Sequence, residues 1–282
     1  MYSIFNTHAA GFRHEYDRAL AQACSAVRRA PEPMHQCHVY PAPSWTFAQR
    51  NRECRQLASS GVRLGSLFRT IVNPWLGISP GMAQPARMST KAPGEKPADI
   101  WRGFHQSDQG NCVTVAAIKI AMARFGQSPK SVFARVQRTA RGYDVTLRDG
   151  HVLSVSDQEV SQAARGARFK GADAGMLKDA NFLFAVSAKR AQEQNNDGTA
   201  GASFSAAIDS LNDGEDEQET GEALQRLGLG RHVRKTSVQA LAGGQLGMIN
   251  TDKHSVAVIG GHEELWGRKG GAPRAGEAVA LV

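Results

Sequence analysis

The chain has 282 residues, with 41% apolar side chains and 34 Lys and Arg against 26 Asp and Glu. That composition excludes a wholly disordered polymer and gives room for one substantial domain plus an appendage. The positive surplus is local: residues 1–96 hold 12 Lys and Arg against 5 Asp and Glu, whereas residues 97–282 hold 22 against 21, so the body lacks the clustered basic surface that nucleic-acid binding requires.

Residues 1–96 read as a poorly ordered segment, because Arg, Pro, His and Ser are scattered through it and Pro80, Pro85, Pro93 and Pro97 punctuate its end. Short helices are expected around residues 12–27 and 66–76, without clear partner faces. Two explanations stand: a targeting or secretion leader, or an extension upstream of a true start at Met82 or Met88. The amino terminus shows no basic start followed by an apolar run, so it has no secretory signal pattern. The cluster His35-Gln-Cys37-His38 lacks a second closely spaced ligand pair and is not assigned a metal. Cys24, Cys37, Cys54 and Cys112 form no Cys-x-x-Cys pair, which fits a reducing compartment better than a disulfide scaffold. The longest apolar clusters, 182–186 and 256–259, fall far short of the roughly 20 residues needed to span a bilayer. No cofactor motif is present, and no feature sets an oligomeric state.

From residue 97 the local signals sharpen. A polar turn, Gln106-Ser-Asp-Gln-Gly-Asn111, leads into Val113, Ala116, Ala117 and Ile120 at helical spacing, so a helix begins at or just before Cys112, with Asn111 as N-cap and Gly126 as stop. Ser128-Pro129 opens a second helix that is expected to run to about Arg141. Asp149-Gly150, between the alternating runs 143–148 and 151–155, predicts a hairpin with a two-residue turn. Ser156-Asp-Gln-Glu159 has capping-box spacing. Further helices are expected over about 177–194 and 203–211, followed by a solvated loop at 213–222 with six acids and no base. The last third reads as short strands over 231–237, 245–250, 254–260 and 278–282, separated by Gly-rich turns. A helical part is followed by a sheet part, which is an α+β organisation.

A cysteine in the first turn of a helix meets free amide hydrogens and the positive end of the helix dipole, which favour the thiolate. His254, opening an apolar strand, is a candidate base, and Gln106 is a candidate side-chain donor to an oxyanion. These residues resemble the papain-like cysteine proteases, calpain type. The likeness rests on Gln106-Ser-Asp-Gln-Gly-Asn-Cys112 and Lys253-His254-Ser-Val-Ala-Val-Ile-Gly260. Cys112 and His254 are 142 residues apart, within the roughly 130 to 150 of papain-type enzymes.

The resemblance implies a two-lobed fold over 97–282, with the Cys on a helical lobe and the His on a sheet lobe. It also implies hydrolysis of protein substrates through a thioester. Two departures from the pattern stand out. Val113 replaces the usual aromatic after the Cys, and no Asn or Asp follows His254 to orient its ring. Glu263, Glu264, His262, Asp252 and Asn250 are the candidates for that third role, and a plain dyad is the remaining option. Trp266 is a candidate cover for the His254 ring. Deamidase, transglutaminase or acyltransferase chemistry would use the same nucleophile, and a non-catalytic binding module on the same scaffold is the reading of another class. A leader without a signal peptide ahead of such a body also resembles bacterial effectors injected into host cells; a cytoplasmic protein is the alternative.

Overall fold

A single buried helix, α1 (Cys112–Phe125), organises the structure. Every residue from Val113 to Met122 is buried, including the polar Thr114 and Lys119, because the helix is enclosed on two sides. In the computed structural model the described residues are 88–214, 219–251 and 254–282, all within the unit Ser66–Val282. The expected helices at 12–27 and 66–76, and the His35–His38 cluster, lie outside them.

After α1 come α2 (Pro129–Val132), β1 (Arg135–Arg138), β2 (Gly142–Thr146), β3 (Val152–Ser156), α3 (Asp157–Ala167), α4 (Ala174–Gln194), α5 (Phe204–Ser210) and α6 (Glu222–Arg226). They are followed by β4 (Val233–Lys235), α7 (Val238–Ala242), β5 (Gly247–Asn250), β6 (Ser255–Ile259), β7 (His262–Leu265), β8 (Arg268–Lys269) and β9 (Glu277–Leu281). The architecture is α+β. A three-stranded sheet has the order β1-β2-β3 and a six-stranded sheet the order β4-β9-β5-β6-β7-β8, with every strand pair antiparallel.

Strand alternation decides which face of the larger sheet meets α1. Met248, Ala257, Val279 and Leu281 join the main core with Val115, Ile118 and Met122, while their neighbours Ile249, Val256 and Val258 form a smaller cluster with Leu241 of α7 on the opposite face. One face is therefore covered by the long helix and the other by the short one, with the period of two that a doubly covered sheet requires. On its other side α1 meets α4, whose Phe182, Leu183, Phe184 and Val186 are fully buried. Each such apolar side chain contributes about 1.5 to 3 kcal/mol through burial.

Several boundaries follow from local chemistry. Ser156 and Glu159 form a reciprocal capping box at the start of α3. Asp173 accepts from the amides of Gly175 and Met176 and starts α4 three residues earlier than the apolar pattern indicates. The second helix is corrected from the expected end near Arg141: α2 stops at Val132, Phe133 turns extended (φ −91°, ψ 158°), and residues 135–138 pair with β2. Phe133 is buried in this extended conformation, and the following Arg-Val-Gln-Arg pairs with β2 as an edge strand rather than continuing as a helix face. The β2–β3 hairpin is present but its turn is longer than two residues. Gly150 N–H bonds back to Leu147 O at 3.1 Å with Gly150 at φ +90°, a turn closed by a left-handed glycine.

Residues just before the expected boundary at 96 and 97 also bond to the body. Ser89 donates to Asp179 through its amide (2.8 Å) and its hydroxyl (2.5 Å); burial holds the Asp179 carboxyl above the usual carboxylate range, against the lowering effect of the Ser89 and Gln127 bonds. Gln127 N–H bonds Glu95 O at 2.9 Å, and Lys96 Nζ reaches Ala123 O and Arg124 O at 2.8 and 2.7 Å, at the carboxyl end of α1. Residues 88–96 are thus part of the fold.

Candidate active site

Cys112 is the first residue of α1, partly buried against the main core. No acidic side chain stands in the first turn, so the positive end of the helix dipole is not offset there. Asn111 occupies the N-cap position, but its side chain makes no cap bond. Instead its Nδ2 donates to Ala167 O (3.1 Å) and Asn212 Oδ1 (2.9 Å), while Asn212 Nδ2 donates to Gly166 O (3.0 Å). Gly110 adds paired backbone bonds with Asn212 and Gly214. The loop before the cysteine is thereby anchored to the end of α3 and to the turn after α5.

Gln106 lies in this loop and is buried. Its Nε2 donates one hydrogen to Gln109 O at 2.6 Å, which fixes the amide and leaves its second N–H for another acceptor. Next to it, His105 exchanges backbone bonds with Lys170 (2.7 and 3.1 Å), and its Nδ1 stands 2.8 Å from Gln106 O.

His254 closes the β5–β6 hairpin: Thr251 N–H donates to His254 O at 3.0 Å, and His254 N–H donates to Thr251 Oγ1 at 3.0 Å. It sits at the start of β6, the strand that packs most closely on α1. The Trp266 ring stacks on the imidazole, with centroids 4.9 Å apart and planes within 9°. Trp266 stands at φ +47°, in the left-handed region where a side chain is strained. Beside it, Gly267 (φ +83°) faces the His105 ring so closely that a Cβ at that position would stand 2.7 Å from Cδ2 of His105. The polar loop and the histidine strand therefore meet through a continuous set of contacts: Gln106 and His105 by sequence, His105 on Gly267, and Trp266 on His254.

The candidates for the third role are scattered. Glu264 is buried; its Oε1 accepts from Gly267 N–H at 2.6 Å and lies 3.6 Å from Lys119 Nζ. Glu263 follows the other face of β7, opposite Val258. His262 pairs with Ile259 at the far end of β6, about 16 Å from His254 at the usual rise per strand residue, and its Nδ1 faces Gly270 O at 3.0 Å. Asn250 pairs with Ser255, the neighbour of His254. Asp252 lies outside the described residues. Among the described residues neither ring nitrogen of His254 has a hydrogen-bond partner, and burial pushes its pKa down to about 4.

A consequence for stability follows. Above the unfolded value near 6.5 both states carry a neutral His254; as pH falls toward 4 the unfolded chain takes up a proton that the folded one refuses. Stability is therefore full at neutral pH and declines between about 6.5 and 4, by at most about 3 kcal/mol from this group. Denaturant midpoints at pH 7 and pH 4.5 should differ less in His254→Phe, which keeps a flat ring, than in the parent; an equal difference would show that this ring does not titrate across that window.

Sequence reasoning missed Lys119. The available signal was a lone lysine seven residues after Cys112 within the otherwise apolar run 115–122. It also missed β7, because His-Glu-Glu-Leu does not read as a strand until Glu264 is seen to point inward. Among the described residues no group of three or more His, Cys, Asp or Glu could hold a metal ion, and no helix is long and apolar enough to cross a membrane. The chain matches no protein-family model, and no curated protein or solved structure is significantly similar to it.

Proposed function

We propose that residues 97–282, with residues 88–96 bonded to them, form a papain-like, two-lobed catalytic body and that the protein is a cysteine peptidase of calpain type, cleaving protein substrates through a Cys112 thioester. The observation that carries this reading is the meeting of two segments far apart in sequence. The loop of Gln106 that starts the nucleophile helix is in contact with the turn that covers His254. In the proposed cycle His254 takes the thiol proton and returns it to the leaving amine. The second Gln106 amide hydrogen and the Cys112 backbone N–H stabilise the tetrahedral oxyanion. A neutral His254 is in the protonation state a base needs. Its ring lies flat against the Trp266 face.

The absence of a hydrogen bond to the ring among the described residues favours a second reading, a binding module that keeps the scaffold without turnover. Alkylation by iodoacetamide, followed by mass measurement of the modified peptide across pH 5 to 9, separates the two. The enzyme reading expects Cys112 to be labelled rapidly at pH values well below the roughly 8.5 at which an ordinary thiol is half-ionised. Labelling that follows the ordinary thiol curve would support the binding module. Product masses then distinguish hydrolysis, which cuts the chain, from deamidation, which leaves it whole and about one dalton heavier, and from acyl transfer, which adds the acceptor.

A further inference from the structure

Lys119 lies two helical turns along α1 from Cys112 and is fully buried. Its Nζ donates to Ile100 O (2.6 Å) and Trp101 O (3.0 Å), stands 4.8 Å from the Phe104 ring centroid, and faces Glu264 Oε1 at 3.6 Å. Desolvation lowers its pKa, opposed by the Glu264 charge. Buried ion pairs of this kind are weak sources of stability, since two well-packed apolar side chains serve as well or better. Their retention in an apolar layer needs another reason, and the second bond of Glu264 supplies one. The same Oε1 accepts from Gly267 N–H, the amide that follows the strained Trp266.

We propose that Lys119 and Glu264 form a lock that positions the Trp266–Gly267 turn over His254, tying the nucleophile helix to the cover of the base. This rests on the reading of Cys112 and His254 as a catalytic pair. Both are positioning residues. Lys119 anchors the Glu264 carboxylate to α1; the carboxylate holds the Gly267 amide; that bond keeps Trp266 left-handed with its ring flat on the imidazole. Gly267 in turn rests on His105, one residue before Gln106, so one carboxylate registers both halves of the site.

Two double variants isolate the bond from the charge. Lys119→Gln with Glu264→Gln removes both charges but keeps a side-chain donor on α1 and an oxygen that accepts from Gly267; Lys119→Met with Glu264→Met removes the donor and the acceptor. The lock requires the Gln double to alkylate with iodoacetamide at Cys112 within about threefold of the parent, and the Met double at least about tenfold more slowly, as sub-ångström misplacement of a reacting pair does. It also requires the His254 ring-proton resonance to keep the upfield shift of stacking in the Gln double and to lose it in the Met double. Equal labelling rates and equal His254 shifts in the two doubles would overturn the proposal. Should neither double fold, the parent alone decides: the Gly267 amide must be among the slowly exchanging ones, and exchange at the rate of an open loop would refute the lock. A parent whose Cys112 reacts as an ordinary thiol would sink the enzyme reading, while the His254 resonance and the Gly267 amide would still report on the lock.

Discussion

Cys112→Ala is expected to lower turnover of denatured protein substrates by at least about 10³-fold, the scale on which removal of a covalent nucleophile acts, and to abolish labelling at that site. The fold should tolerate the change, because Cys112 is the first residue of α1 and only partly buried, and Ala has the best helix propensity. Circular dichroism and thermal unfolding close to the parent would therefore accompany the loss. Full retention of peptide release in the Ala variant would refute the nucleophile assignment. The residual rate is informative as well. Oxyanion donors and binding alone still accelerate acyl transfer over water when a nucleophile is missing, so Gln106→Ala on the Cys112→Ala background should remove most of what remains.

Glu264→Leu is expected to cost about 3 to 5 kcal/mol, the range for breaking one side of a buried ion pair, because it removes the carboxylate that faces the buried Lys119 ammonium and leaves it the Ile100 and Trp101 carbonyls and the Phe104 ring. Removing the carboxylate deepens the depression of the Lys119 pKa, so the unfolded chain binds the proton over a wider interval below 10.5 than the folded one. Stability of the single variant should then recover as pH is raised, and denaturant midpoints at pH 7 and 9.5 would show it. Adding Lys119→Met to Glu264→Leu should regain most of the loss, since the uncompensated charge is gone. A single variant as stable as the parent at pH 7 would mean that Lys119 reaches solvent or another partner on substitution.

How much of this was legible from the residues depended on whether a signal was local. The helix at Cys112 and its stop at Gly126, the capping box at Ser156 and the strand at 255–259 are written in neighbouring residues, and the structure has them where those residues place them. Where propensity and pairing disagreed, pairing won: Arg135–Arg138 joined β2 instead of prolonging a helix. Asn111 shows the same limit on a smaller scale. Its position as N-cap follows from the sequence, but its side chain is drawn away to Ala167 and Asn212, 56 and 101 residues distant. The candidate site followed the same division. Cys112, Gln106 and His254 stood out by residue type and order. The reason Glu264 turns inward is a lysine 145 positions earlier in the chain, and no window of sequence contains both.

The placement of β9 affects the order in which the site can be assembled during synthesis. It is the final strand in chain order, yet it stands between β4 and β5 and bonds to both. Until residues 277–281 emerge, β5 has one open edge, β4 is a detached ribbon, and the face that α1 must cover lacks Val279 and Leu281. Cys112 is made long before the sheet that carries His254 can close against its helix. In a nascent chain that thiol therefore precedes a complete sheet, and the two segments of the candidate site are brought together only once β9 has been added between β4 and β5.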